Sequence, residues 1–189
     1  IQPLAYARGL AWAAVKAGAV IFGNSAVEAR EELATGWRVR TARGSVSADW
    51  LLIATETYSM AGTADVRSEI VRLPYFNMAT APLGDNVRNS ILPGREGVWD
   101  TRTLLSSFRF DRDNRLIFGS VGALSGLGQR IHRHWGRRSL ARLFPQLGDV
   151  AFEHEWYGAI GMTDNALPRF HGYGRNCFSI SGYNGRGIG

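Results

Sequence analysis

The last nine residues of the chain, 181–189, have a composition that suits close contact with a flat ligand. Their sequence is Ser-Gly-Tyr-Asn-Gly-Arg-Gly-Ile-Gly, and the short apolar segment 176–180 before them is typical of a buried strand. Glycine at every second or third position lets a backbone pass close to a planar group, because no Cβ intervenes. Taken alone, the same segment also fits an ordinary glycine-rich turn.

Familiar motifs that bind phosphate, activate a serine or hold a metal are absent from the sequence. There is no G-x-x-x-x-G-K-[ST] loop, no strand–G-x-G-x-x-G–helix unit and no G-x-S-x-G elbow. His132 and His134 lie two residues apart on a predicted helix and face different directions, so we expect no metal site. If the protein is an enzyme, we expect a cofactor to carry its chemistry.

The first third of the sequence predicts a helix and several short strands. Apolar residues at helical spacing follow Pro3, and Gly18 is the expected end of that helix. Strands are predicted at 19–22, 26–30 and 37–41. The continuous apolar run 50–55 is typical of a parallel strand covered on both faces. Ligands of open α/β sheets bind beyond the carboxyl ends of such strands, which here means Ala54 and Thr55.

The middle of the chain changes character and predicts an antiparallel sheet. Long, imperfectly alternating segments occupy 71–83, 98–110 and 115–121, and the segment 111–114 is a strong hairpin signal. A helix is predicted at 129–143 and a further strand at 151–158. The combined pattern predicts an α+β fold in which helices cover one face of the sheet.

The chain carries a formal net charge of +6, and Lys16 is its only lysine. Arginines concentrate on the predicted helix 130–142, where the cluster comprises Arg130, Arg133, Arg137, Arg138 and Arg142. One interpretation is a solvated helix face. The alternative is a non-catalytic binding domain that uses this helix for an acidic partner or nucleic acid. We favour the first and expect no nucleic-acid partner.

Two further features bear on location. No apolar run reaches the roughly 20 residues that a membrane-spanning helix needs. Cys177 is the single cysteine and lies in an apolar segment, which favours a buried thiol in a reducing compartment. We therefore expect a cytoplasmic protein without a membrane span.

Several short segments, taken in their order along the chain, resemble those of a known protein family. In order they are 6–19, Val27, 36–41, 52–55, 100–102, 108–119, 144–147, 156–158, 163–168 and the glycine-rich end at 182–189. Together they resemble the FAD-dependent D-amino-acid oxidase family, in its glycine/sarcosine oxidase and gamma-glutamylputrescine oxidoreductase-like branch. The resemblance covers essentially the whole chain.

The resemblance implies a set of FAD-binding residues at three places. Val27 would meet the adenine end of FAD through its backbone, and Ala54 and Thr55 would line the cofactor cleft. Residues beside the flavin would be Gly158, Asp164 and Pro168. The closing turn would follow the isoalloxazine ring with Gly182, Tyr183, Asn184, Gly185, Arg186, Gly187 and Ile188. No cysteine occurs in 159–162, where some members tether the flavin, so non-covalent FAD is expected.

The same resemblance implies the reaction. The protein would oxidise a small amine or amino acid by hydride transfer from the C–H bond beside nitrogen to the flavin, and the imine would then be hydrolysed. Candidates for orienting the substrate are Tyr183, Arg109 and Arg186. Some members place an oxygen-facing lysine just after the flavin loop. Gly189 stands there in this sequence, which puts direct use of oxygen in doubt.

The resemblance also implies three domain segments. Residues 1–66 would be part of the FAD-binding domain, 67–157 the antiparallel substrate-binding domain, and 158–189 the return to the FAD-binding domain. Family members are considerably longer and begin with a G-x-G-x-x-G unit, so we expect this chain to be a fragment. As a fragment it would bind FAD poorly and would associate with itself through uncovered apolar strands.

Overall fold

The structure is a computed structural model, and it describes residues 2–59 and 67–185. The fold is α+β, as the sequence predicts. In chain order the helices and strands are α1 (Pro3–Lys16), β1 (Val27–Glu32), β2 (Trp37–Thr41), β3 (Gly44–Ala48), β4 (Leu51–Ile53), β5 (Val71–Thr80), α2 (Asp85–Ser90), β6 (Val98–Trp99), β7 (Ser106–Phe110), β8 (Leu116–Val121), α3 (Leu127–Leu143), β9 (Phe152–Met162), β10 (Arg169–Gly172) and β11 (Cys177–Ser181). Within the described ranges, no helix combines the length and apolarity needed to cross a bilayer.

The chain folds into two compact units. Unit 1 comprises Ile1–Glu69 and Pro168–Ser181, and unit 2 comprises Ile70–Leu167 and Gly182–Gly189. The chain therefore passes from unit 1 to unit 2, returns, and enters unit 2 again after β11. The functional domain assignments 1–66, 67–157 and 158–189 stay predictions.

Helix α1 confirms the first predicted helix. Pro3 occupies its first turn, and the side chain of Gln2 caps it by accepting a 2.6 Å hydrogen bond from the Ala5 N–H. The strand predicted at 19–22 is wrong, because these residues lie in no strand. Ala19 instead donates its N–H to the carbonyl of Ala14 and so extends the end of the helix. An apolar composition alone does not make a strand without a neighbouring strand to pair with.

Unit 1 contains two three-stranded sheets. The antiparallel sheet β1–β2–β3 confirms the predicted strand at 37–41, and Trp37 is buried against it. The second sheet has the order β10–β11–β4, in which β11 runs parallel to β4. A parallel strand was predicted at 50–55, but β4 is shorter, and the described residues do not cover both of its faces. Ile53 is 4% exposed, whereas Leu52 is 52% exposed and Trp50 64%.

Unit 2 is built on a five-stranded antiparallel sheet with the order β6–β7–β8–β5–β9. This sheet confirms the prediction for the middle of the chain. The hairpin at 111–114 is confirmed as well, since the Asp111 carboxylate accepts the N–H groups of Asp113 and Arg115 across the turn. The predicted strand 98–110 is divided, because the Asp100 carboxylate accepts the N–H groups of Arg102 and Ser106 and folds the segment between them into a loop.

Helix α3 covers one face of this sheet and confirms the helix predicted at 129–143. Between them lies the main core, whose buried members are Phe76, Met78, Ile91, Phe108, Phe110, Leu116, Phe118 and Leu140. Gly136 brings the helix close to the sheet, because a Cβ there would lie 3.2 Å from Met78 Sδ and 3.3 Å from Phe118 Cε1. The residues between these apolar positions point to the opposite face of the sheet.

Candidate active site

Polar and aromatic residues form a row across the sheet face of unit 2 that lies away from α3. Strand register places Trp156, Asn77, Gly119 and Ser107 opposite one another on β9, β5, β8 and β7. Residues paired directly across antiparallel strands share a face. Phe76, Phe108 and Phe118 alternate with them and belong to the core under α3. The row is thus a continuous surface built from four strands.

Three polar side chains close around the bare backbone of Gly119. A Cβ at this position would lie 2.7 Å from Asn77 Oδ1, 2.8 Å from Ser107 Oγ and 3.0 Å from Tyr75 Cε1. The hydroxyls of Tyr75 and Ser107 are 2.9 Å apart and hydrogen-bonded. We call Tyr75, Asn77, Ser107 and Gly119 the polar cradle. It offers a hydroxyl pair and an amide in one half-buried place.

Burial raises the pKa of one cradle group, the phenol of Tyr75. Removal from water raises the pKa of the Tyr75 phenol, and the negative charge of Asp100 raises it further. The hydrogen bond with Ser107 and the positive charge of Arg109 act in the opposite direction but are outweighed. Tyr75 therefore stays a neutral phenol, able to donate or accept a hydrogen bond, through the whole physiological range.

Arg109 and Gly158, two residues predicted from the resemblance, lie on the face that carries the polar cradle. Arg109 alternates with the buried Phe108 and Phe110 along β7 and is half-buried. Gly158 pairs with Tyr75 across β5 and β9. The sequence analysis did not point to the four cradle residues themselves. Their signal is the alternation of polar and aromatic residues in β5 and β7, which becomes informative only once the register is known.

The turn after β11 is held to unit 2 by Asn184. Its Oδ1 accepts a 2.9 Å hydrogen bond from the Thr163 N–H, and its Nδ2 donates to Thr163 Oγ1 at 3.1 Å. Its backbone N–H donates to the Gly161 carbonyl at 3.0 Å. Gly182 has a φ of +75°, and a Cβ there would clash with the Thr163 methyl group. The side chain of Asn184 is thus committed to fixing the turn, and its predicted cofactor contact would have to come from the backbone.

The remaining predicted residues of this region are more dispersed. Tyr183 is 39% exposed. Asp164 follows Thr163, is exposed, and accepts the N–H of Asn165 with its own carboxylate. Pro168 is exposed at the start of the second segment of unit 1. Arg186, Gly187 and Ile188 lie outside the described residues.

Unit 1 brings Val27, Ala54 and Thr55 together in one groove. The groove has a volume of about 80 Å³, and its other lining residues are Arg30, Val39, Leu51, Leu52 and Ile53. This volume lies below the usual range for ligand pockets. The Thr55 hydroxyl is hydrogen-bonded to Ser59 Oγ at 2.7 Å and so fixes the turn that follows β4. Backbone and aliphatic surface therefore dominate the groove.

Two buried hydroxyls mark the carboxyl edge of the parallel pair β4 and β11. Thr57 lies in the 3₁₀ turn Glu56–Tyr58 just after β4, and Ser181 is the last residue of β11. Within the described ranges, neither hydroxyl oxygen has a hydrogen-bond partner. A buried hydroxyl without a partner is destabilising, so a bound polar group or water is expected at this edge. Ligands of parallel sheets bind at the same edge.

Comparison with known proteins decides the family. A model of the family described as FAD dependent oxidoreductase (DAO) matches residues 1–189. The chain belongs to the FAD dependent oxidoreductase family. The prediction made from the order of its segments is therefore confirmed, and this family is FAD-dependent.

Curated relatives of this family match the whole chain. It is 33% identical to a probable oxidoreductase OrdL of Haemophilus influenzae over 192 residues, which is 100% of this chain and 44% of the relative. It is 28% identical to gamma-glutamylputrescine oxidoreductase of Escherichia coli K12 over 192 residues, again 44% of that protein. The chain thus spans 44% of the length of these relatives.

Solved structures of similar fold include two glycine oxidases. The enzyme from Geobacillus kaustophilus superposes with a TM-score of 0.71 at 19% identity. The superposed region covers 94% of this chain and 47% of the glycine oxidase chain. The enzyme from Bacillus cereus gives 0.72 at 14% identity, with coverage of 94% and 50%. At these identities the likeness establishes the fold.

The described residues that the resemblance assigns to FAD lie in two separate places, and their contact with FAD stays a prediction. In unit 1, the groove at Val27, Ala54 and Thr55 has largely aliphatic walls, and the buried hydroxyls of Thr57 and Ser181, which have no partner among the described residues, lie at the carboxyl edge of its parallel strands. In unit 2, the turn beginning at Gly182 is fixed by Asn184. Gly182 has a positive φ and no room for a Cβ beside Thr163. No group of His, Cys, Asp and Glu residues within the described ranges could hold a metal ion.

Proposed function

We propose that the complete product of the gene encoding this chain oxidises a small amine or amino acid with non-covalently bound FAD. When bound, FAD supplies the acceptor for the hydride on the carbon beside the substrate nitrogen, and the imine that results is hydrolysed by water. The observation that carries the substrate side of this proposal is the polar cradle beside Arg109. Family membership carries the redox side.

The polar cradle matches the needs of a neutral amine. Asn77 Oδ1 and Ser107 Oγ both face Gly119 and can accept N–H hydrogen bonds. Tyr75 is kept as a neutral phenol by burial, and it can donate to a substrate lone pair or oxygen. Each of these groups positions the substrate without removing a proton. An amine that is already neutral needs no stronger base before its C–H bond is oxidised.

Arg109 gives the same face a positive charge at β7. A guanidinium group binds a carboxylate through two parallel hydrogen bonds, which makes it suited to the carboxylate of an amino acid. The relative from Escherichia coli K12 is named for gamma-glutamylputrescine. We infer that a substrate carrying both an amine and a carboxylate is oriented by Arg109, while the polar cradle receives the amine.

The closing turn is proposed to support the flavin through its backbone. Gly182 to Gly185 form a fixed turn, and the predicted contacts of Arg186, Gly187 and Ile188 continue from it along the chain. Backbone N–H groups aimed at a reduced flavin would stabilise its negative charge. Tyr183, which is partly exposed next to Asn184, is proposed to contact the substrate or the flavin ring.

The experiment that tests this proposal compares two arginine substitutions in the complete gene product loaded with FAD. Flavin reduction is followed after anaerobic mixing with glycine, with gamma-glutamylputrescine, or with an alkylamine that has no carboxylate. Arg109→Gln should raise the half-saturating concentration of carboxylated substrates by about 10- to 100-fold. The half-saturating concentration of the alkylamine should not change. Arg112→Gln is the matched control, because Arg112 lies at a hairpin tip with its side chain 93% exposed. Equal effects of the two substitutions would contradict the role of Arg109.

A further inference from the structure

The arginines of α3 do not form one surface, although the sequence groups them together. Arg133 turns to one edge of the helix, where its guanidinium pairs with Glu155 of β9 at 2.5 Å and its pKa is raised by that hydrogen bond. Arg130 and Arg137 are exposed and fall on the outward side of the helix at helical spacing. Arg138 and Arg142 lie at the other edge, one turn apart.

Arg138 and Arg142 line a cleft in unit 2 together with Arg102. The cleft has a volume of about 230 Å³, and Asp100, Ser106, Trp135, Ser139 and Leu143 complete its lining. Three guanidinium groups and one carboxylate give a formal charge of +2 (three minus one). In the part of the chain that the structure describes, none of these three arginines has an ion-pair partner. The carboxylate of Asp100 is already engaged by two backbone N–H groups.

Both walls of the cleft are fixed. On the loop side, Asp100 accepts the N–H groups of Arg102 and Ser106 at 3.2 and 3.1 Å, and Ser120 Oγ donates to the Leu105 carbonyl at 2.8 Å. On the helix side, the ring of Trp135 packs 5.4 Å from the ring of Phe118. The guanidinium groups therefore extend from a helix and from a loop that backbone hydrogen bonds hold in place. Positive charge gathered on such anchored backbone favours an anionic ligand.

The helix dipole works against an anion here but is too weak to decide. Arg142 lies in the last turn of α3, where the carbonyl end of a helix carries roughly half a negative charge. The three positive charges of the arginines exceed the combined negative charge of the helix end and the Asp100 carboxylate. An ordinary solvated helix face has no concave wall. This cleft has one, and its three arginines come from both the loop held by Asp100 and helix α3. We propose that this cleft binds a small oxyanion with two negative charges, supplied either as a phosphate or as a dicarboxylate.

This cleft is distinct from the proposed substrate site. It lies on the α3 side of the sheet, since Ser106 alternates with Ser107 of the polar cradle on β7. Its size excludes a nucleic-acid strand from its interior and suits a ligand of a few heavy atoms. The binding energy would come from charge-assisted, bidentate hydrogen bonds to guanidinium groups.

The test is calorimetric titration of the 189-residue chain with inorganic phosphate and, separately, with malonate. One-site saturable binding of either ion is expected, and the ion that binds identifies the source of the dianion. Arg138→Gln with Arg142→Gln should weaken the affinity by at least about tenfold, and Arg102→Gln should do the same from the opposite wall. Arg130→Gln with Arg137→Gln removes the same charge from the same helix and should change the affinity less than about twofold.

Two outcomes would overturn the proposal. One is the absence of saturable binding of both ions. The other is equal weakening by the cleft pair and the outward pair, which would mean diffuse attraction to a basic helix. A short DNA duplex serves as a third probe. If it binds and the outward pair governs its affinity while both small ions fail, the helix is a polyanion surface instead. Circular dichroism verifies folding, and Arg102→Gln leaves the helix itself unchanged.

Discussion

At the scale of single residues, Gly119 is the position on which the polar cradle depends most. A methyl group there would enter the space held by Asn77 Oδ1, Ser107 Oγ and the Tyr75 ring, which lie 2.7 to 3.0 Å from a Cβ. We expect Gly119→Ala to lower the free energy of unfolding by about 1–3 kcal/mol, the usual cost of overpacking. Gly44→Ala is the control, since nothing lies within 4 Å of its Cβ. Denaturant titration of both variants should show a loss only at Gly119, and equal stability of the two would contradict the cradle geometry.

Tyr75 predicts a dependence of stability on pH at the alkaline end. Its pKa in the folded protein is raised above the ordinary value of 10.0, chiefly by burial. The folded state therefore holds this proton more tightly than the unfolded state. Its contribution is full below pH 10.0 and is lost as the pH rises through the folded pKa.

The measurement compares wild type with Tyr75→Phe, because phenylalanine cannot ionise. The difference in free energy of unfolding between the two proteins should be constant below pH 10.0 and should then shift against wild type as the pH rises. The other tyrosines cancel in this comparison. A difference that does not vary across the alkaline range would show that the phenol of Tyr75 is not desolvated.

At the scale of elements, helix α3 and the sheet beneath it form the core of unit 2. Leu140 is fully buried on the sheet side of α3, whereas Ile131 on the same helix is 63% exposed. Leu140→Ala should cost about 2–5 kcal/mol of unfolding free energy, since it removes buried methyl groups and leaves a cavity. Ile131→Ala should change it by no more than about 0.5 kcal/mol. Thermal unfolding of the two variants is the measurement. Similar costs would mean that the helix packs through a different face.

The elements also show what local sequence can and cannot predict. Helix α3, strand β2 and the hairpin at Asp111 were predictable because spacing, alternation and turn residues all act within a few positions. The strand expected at 19–22 failed because its pattern lacked a partner strand. The division of 98–110 depended on one carboxylate, Asp100, which captures two backbone N–H groups.

The candidate site was less predictable than the fold. The structure gathers Val27, Ala54 and Thr55 in one groove, while their contact with FAD stays a prediction. The polar cradle joins Tyr75, Ser107 and Gly119 from three strands. Its geometry follows from the register of long-range pairs, which no single segment encodes. The clamp between Thr163 and Asn184 is non-local for the same reason.

At the scale of the whole molecule, unit 1 predicts self-association. Strand β4 is the last strand of its sheet among the described residues, and its free edge can pair with another copy. Large apolar side chains are exposed nearby along the same sheet, with Leu52 at 52% and Phe170 at 69%. Sedimentation velocity over a range of concentrations should show a dimer or larger assembly that Leu52→Ser weakens. A monomer at every concentration would contradict this expectation. Cytoplasmic location and the lack of a nucleic-acid partner stay predictions.

The central claim is that this chain belongs to an enzyme that oxidises amines with FAD. Its most direct test is anaerobic titration of the purified complete gene product with amines and amino acids after incubation with FAD. The purified protein should be a stoichiometric yellow flavoprotein whose oxidised-flavin absorbance is lost when a suitable amine is added. The flavin should be released on denaturation, because we propose that its attachment is non-covalent. A product that retains no flavin, or retained flavin that no amine or amino acid reduces, would contradict the proposed amine oxidation.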